Sequence, residues 1–193
     1  LKVMYEEIAI LWDQELKYRP SFQVMGDTVA LPVLLEKICG VKDGQTGPYW
    51  QDIKRLITPD TVLVPQIPWI KPTDPNPMKA CAAQFLQNGK LLKRRIVEHR
   101  SYPYKILRKE MQDYLLDKLQ LLLDQRIVAG TFENGTEYTA IAVALDLDKE
   151  LLRLIQRFDF TKKNPKVVAI AAAEEVLSLE DSILFAYLNL IGF

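Results

Sequence analysis

Six of the chain's 11 prolines fall between Pro59 and Pro77. Each holds φ at about −65°, removes a backbone donor and pushes the preceding residue toward extended geometry, which excludes regular helix from the stretch. Val62 to Val64 and Ile67 to Ile70 within it are too apolar to be left in water. The stretch therefore reads as an extended connector packed along the body. It separates an N-terminal helical region, 1–58, from an α+β region, 78–193, and 193 residues allow these to be two domains or parts of one.

On both sides of the connector the apolar residues recur mostly at helical spacing. Met4, Ile8, Leu11, Trp12 and Leu16 share one face of a first helix that Pro20 ends. Phe22 to Ala30, around Gly26 and Asp27, fits a short hairpin or a plain loop. First-turn prolines at Pro32 and Pro48 open two further helices, the first stopped by Gly40 and the second carrying Trp50, Ile53, Leu56 and Ile57. Asn76-Pro77 predicts a helix of about three turns ending at Asn88-Gly89. A strand follows around Leu91 to Val97. Leu107, Met111, Leu115, Leu119 and Leu122 then mark the clearest amphipathic helix, ending near Arg126.

Beyond it, Ile127 to Glu133 and Thr136 to Val143 flank Asn134-Gly135, the dipeptide that favours a type I′ turn, and this predicts a β-hairpin. Three helices are expected to end the chain. Asp148 caps the first, Asn164-Pro165 opens an alanine-rich one over Val167 to Leu177, and Ser178, with Asp181 three residues on, starts a mostly apolar last one that must dock on something. The fold class is α+β, predominantly helical, with a short antiparallel hairpin and a proline-rich extended segment.

Little points to catalysis. Cys39 and Cys81 each stand alone in apolar stretches and read as buried thiols, with neither a disulfide framework nor a thiolate metal site implied. The single histidine, His99, lies in a basic segment whose pattern signals neither a catalytic triad nor a histidine metal site. Asp146 and Asp148 read as helix-capping residues rather than a cation site. The eight scattered glycines form no phosphate-cradling loop. No cofactor and no metal are implied, and an enzyme is the lesser expectation.

Charge is what stands out. The whole chain balances 25 lysines and arginines against 25 acids, yet residues 90–109 hold eight cations against the single acid Glu98. A concentrated basic patch is the electrostatic footprint of a polyanion, and interleaved rings could stack on bases. Lys93, Arg94, Arg95, His99, Arg100, Tyr102, Tyr104, Lys105, Arg108 and Lys109 are accordingly the candidate contact residues. The competing reading makes Lys105, Arg108 and Lys109 a solvated helix face paired with Asp113 and other acids. The expected function is that of a non-enzymatic accessory or regulatory protein that binds a protein partner or larger assembly through this patch. DNA or RNA is the alternative ligand, and an enzyme whose site forms only in the fold is the third reading. No membrane span or signal peptide is visible, so a cytoplasmic location is expected. The chain begins at Leu1 without a methionine, which reads as a piece of a longer protein or a processed chain.

Overall fold

The computed structural model describes residues 10, 13–19, 22–26, 28–30, 44–70, 77–126, 135–160, 162–170 and 176–193. In chain order its strands and α-helices begin with β1 (Gln23–Met25), β2 (Thr28–Ala30), α1 (Thr46–Leu56) and β3 (Thr61–Val64). There follow β4 (Leu86–Gln87), β5 (Lys90–Leu91), α2 (Lys93–Glu98), α3 (Lys109–Gln125), α4 (Thr136–Ala144), α5 (Lys149–Arg157), β6 (Lys166–Ala169) and α6 (Leu179–Leu190). Short 3-10 helices lie at Leu16–Tyr18, Lys79–Phe85 and Pro103–Ile106. The fold is α+β and predominantly helical.

Two units make up the chain: Leu1–Leu63 with Asp159–Val168, and Val64–Phe158 with Ala169–Phe193. The division falls inside the proline-rich stretch. The first unit also takes in Asp159–Val168, a recruitment that no local composition signals.

In the first unit β1 and β2 pair antiparallel, with Gln23 opposite Ala30 and Met25 opposite Thr28. Helix α1 contains Pro48 in its first turn and buries Ile53 and Leu56, while Trp50 and Ile57 stay exposed. Thr61 Oγ1 donates to Leu56 O at 3.0 Å and accepts from Thr58 N at 3.1 Å, which closes the helix and sets the start of β3. The backbone N–H of Lys166 donates to Asp60 O at 3.0 Å, and in the second unit that of Ile170 donates to Val64 O at 2.9 Å. Both pairs keep the same offset, so β3 and β6 run parallel. The helix expected after Asn164-Pro165 is thus a strand at its start. Val167 and Val168 are β-branched and find the partner β3, which makes Lys166–Ala169 a strand. The rest of that run, 171–175, lies outside the described residues. So do most of the first expected helix and all of the one expected at Pro32 to Gly40.

The second unit is built on α3, which buries Leu115, Leu116, Leu119, Leu122 and Leu123. It ends where Arg126 takes the left-handed conformation. Helix α4 packs on α3, α6 and the Lys79–Phe85 helix and is buried all round, from Ala140 to Ala144. This corrects the hairpin expected at Asn134-Gly135. A run buried on every side reads alike as strand or helix, and three alanines in five residues favour the helix. Gly135, at φ 83°, serves as the residue before the helix. The Asn-Gly reversal operates at Asn88-Gly89 instead, where φ is 51° and 76°. There it pairs Leu86 with Leu91 and Gln87 with Lys90. The expected strand over Leu91 to Val97 is therefore only two residues long. Ile96, four residues after Leu92, is buried while Lys93, Arg94 and Arg95 are exposed, which is the pattern of α2. The helix expected from Asn76 is the 3-10 helix Lys79–Phe85.

Two buried polar devices fix this unit. Tyr104 and Tyr187 are both fully buried. Tyr187 OH donates to Leu115 O at 2.8 Å, Tyr104 OH donates to Ala144 O, and the two hydroxyl oxygens lie 3.1 Å apart. The Pro103–Ile106 turn, α3, α4 and α6 are thereby tied through two side chains. The second device is Asp181, a buried carboxylate in the first turn of α6. Ser178 Oγ accepts from Asp181 N at 3.0 Å, the expected cap. The Asp181 carboxylate accepts from Trp69 N at 3.0 Å and Ile70 N at 2.9 Å, holding the proline-rich stretch at that point. Val64 and Ile67 are buried as well.

Burial is the first cause that pushes the hydroxyls of Tyr104 and Tyr187 above the ordinary tyrosine range. Their folded values exceed the unfolded ones, so this stability is complete below the unfolded value and lost as pH rises beyond it. Titration followed at 295 nm should show these two tyrosines ionising together with unfolding, above about pH 10. Tyr187→Phe, which removes the side-chain hydrogen bond to Leu115 O, should cost about 1 kcal/mol in urea unfolding. Asp181→Ala leaves two N–H groups unpaired and should cost about 3 kcal/mol by the same measurement. Unchanged midpoints would contradict these roles.

Candidate functional site

Folding pairs off much of the basic segment with acids of α3. Lys90 Nζ lies 3.1 Å from Asp124 Oδ1, Lys93 pairs with Asp117, Lys109 with Asp113, and Arg94 Nε lies 2.8 Å from Glu98 Oε1. The Lys90 ammonium, then Gln120, hold the Asp124 carboxyl below its usual value. Arg95 Nη1 donates to Gln84 O at 3.4 Å and Lys105 Nζ to His99 O at 3.0 Å. Arg100 and Arg108 are exposed, and the backbone N–H of Arg108 donates to Gln156 Oε1 at 3.0 Å. These exposed pairs add little stability, but they offset four of the segment's eight cations. The signal was present in the sequence, since Asp113, Asp117 and Asp124 fall on one helical face at spacings of four and seven.

Tyr102 and Tyr104 are not available for stacking, because both are buried, with ring centroids 5.4 Å apart. Burial first, and the charge of Asp113 second, raise the Tyr102 hydroxyl above its ordinary range. Asp148 caps α5, accepting from Glu150 N at 2.7 Å. Burial raises the Asp146 carboxyl. Cys39 lies outside the described residues.

His99 does find a partner. Its Nε2 lies 3.7 Å from Cys81 Sγ, on the Lys79–Phe85 helix. The ring stands edge-to-face on Phe85, with centroids 5.5 Å apart and planes at 82°. Its Nδ1 accepts the Ser101 backbone N–H at 3.2 Å. A neutral imidazole that accepts at Nδ1 carries its proton on Nε2, so the ring donates to the sulfur. The Cys81 thiol in turn has Met78 O at 3.5 Å and Pro77 O at 3.6 Å as acceptors. Cys81 is half-buried, not enclosed as the sequence suggested. The residues that meet are 18 apart, and the Asn88-Gly89 hairpin brings them together. Read as a hairpin rather than a helix stop, that dipeptide would have pointed to the pair. Among the described residues no three of His, Cys, Asp and Glu are placed to hold a metal ion.

Fold and site together define a predominantly helical α+β module with one thiol–imidazole pair. The chain belongs to the YceG domain family, whose model matches residues 2–193. It is 23% identical over 198 residues to a protein of Bacillus subtilis (strain 168) named "Uncharacterized protein YceG", with the whole chain aligned and 36% of that relative covered. The chain thus spans about a third of the relative's length. No solved structure matches it. Membership of this family overturns the expectation of an accessory or regulatory protein, and the nucleic-acid alternative with it. Ion pairs along α3 engage Lys90, Lys93 and Lys109, the last with Asp113 as the solvated-face reading expected, and burial takes Tyr102 and Tyr104 off the surface. No helix among the described residues is long and apolar enough to cross a membrane.

The chain's one histidine makes the tautomer directly measurable. A long-range 1H–15N spectrum at about pH 9, where a free imidazole is neutral, should show Nδ1 as the unprotonated nitrogen and Nε2 as the protonated one. The reverse assignment would remove the donor from the sulfur.

Proposed function

We propose that this YceG domain contributes a thiol site to the protein that carries it, with Cys81 as the reacting group and His99 as the donor that supports it. One observation carries the reading: a partly buried cysteine whose sulfur lies 3.7 Å from Nε2 of a ring whose Nδ1 is fixed by Ser101. The thiolate is the nucleophile in sulfur chemistry, and an N–H aimed at the sulfur stabilises the charge that develops as the proton leaves. The substrate class that suits such a site is a disulfide. Cys81 Sγ bonds to one sulfur of the disulfide, the old S–S bond breaks, and the other sulfur leaves as a thiol with the proton that Cys81 gave up. His99 touches the reacting atom. Ser101 and Phe85 act through His99 as positioning residues.

In a Cys39→Ser background, reaction with an aromatic disulfide should be lost in Cys81→Ser. It should slow about fivefold in His99→Gln, the effect of one net hydrogen bond. A His99→Gln protein with unchanged circular dichroism and an unchanged rate would refute the assignment.

A further inference from the structure

The first unit assembles a different cluster from two distant segments. Leu16 N donates to Lys162 O at 3.1 Å, which sets residues 13–19 beside residues 162–166. Lys163 Nζ and Lys166 Nζ both approach a single oxygen, Asp13 Oδ1, at 2.9 and 3.3 Å. Arg19 stands alongside, its Nη1 donating to Asn164 Oδ1 at 3.3 Å. The neighbouring cations Lys17 and Lys162 have carboxylates of their own, Glu15 at 2.9 Å and Asp159 at 3.5 Å.

The asymmetry of burial is informative. The Lys166 side chain is 6% exposed, whereas the Asp13 side chain it reaches is 65% exposed. A buried ammonium calls for close and complete neutralisation. Among the described residues the partner is a solvent-exposed carboxylate that spreads one negative charge over two lysines. Burial, the first cause, lowers the Lys166 ammonium from its ordinary value, with Lys163 and Arg19 adding to the effect and Asp13 opposing it. The Asp13 carboxyl is lowered, above all by its hydrogen bond from Lys163. A dianionic oxyanion would supply a charge for each lysine where Asp13 supplies half of one.

We propose that Lys163 and Lys166, flanked by Arg19, form a binding site for a phosphate group, and that the Asp13 carboxylate holds its place until the ligand displaces it. The site is independent of Cys81, which belongs to the other unit. Phosphate can come free or as the terminal group of a small phosphomonoester, and the recognition chemistry is the same for both. Asp13 is then a competitor built into the site, so removing its charge strengthens binding, while removing a lysine abolishes it.

The test is calorimetric titration of the full chain with inorganic phosphate and, separately, glycerol 3-phosphate, at constant ionic strength. Asp13→Asn should bind about tenfold more tightly than the wild type, the fold-change of a hydrogen bond to a charged group. Lys163→Gln and Lys166→Met should each lose binding. Should Lys166→Met not fold, Lys163→Gln decides the matter, its lysine being partly exposed. Binding of either probe that follows this order supports the site, and the tighter probe identifies the source. Binding of neither to Asp13→Asn, or binding that survives Lys163→Gln, overturns it.

Discussion

Much of the second unit depends on where two tyrosine hydroxyls place their protons. Tyr104 and Tyr187 sit in the core with Ala144 O and Leu115 O as acceptors, so the Pro103–Ile106 turn and helices α3, α4 and α6 meet at fixed registers. Apolar packing alone would let these helices slide, since leucines and alanines accept many neighbours. A buried hydroxyl accepts few, because leaving it or its carbonyl unpaired is costly. The α2 segment lies just ahead of Tyr104 in sequence, and with it His99.

From that constraint the thiol site follows in short steps. The Asn88-Gly89 hairpin turns the chain back so that α2 packs on the Lys79–Phe85 helix. Gln120 on α3 clamps the hairpin, its Oε1 accepting from Leu91 N at 2.8 Å and its Nε2 donating to Gly89 O at 3.1 Å. The end of α2 then delivers His99 to Cys81, and the Ser101 N–H selects the tautomer.

How much of this was legible depends on whether a signal was local. The α3 stripe, the Asp148 and Ser178 caps and the helical, α+β character could be read because periodicity and capping act within a few residues. Asn134-Gly135 misled because Ala140 to Ala144 are buried on all sides, which erases the periodicity that separates strand from helix. The stretch after Asn164-Pro165 misled because Val167 and Val168 obey a partner a hundred residues away. The basic segment could be seen, and so could the acids of α3 that share one face, but pairing Lys90 with Asp124 and Lys93 with Asp117 needed the orientation of α3. Both proposed sites join separate segments: Cys81 meets His99 across the hairpin that Asn88-Gly89 signals, whereas Asp13 meets Lys163 and Lys166 with no local signal at all.

Cys81 in the folded protein should differ from the same cysteine without its histidine, and that comparison bears most directly on the account. Glutathione disulfide would be added to the native Cys39→Ser chain and, in parallel, to a synthetic peptide spanning residues 77–85, with the adduct located by peptide mass mapping. Native Cys81 should form the mixed disulfide faster than the peptide, despite its partial burial. A native rate below that of the peptide would mark Cys81 as a packed, inert thiol and contradict the account.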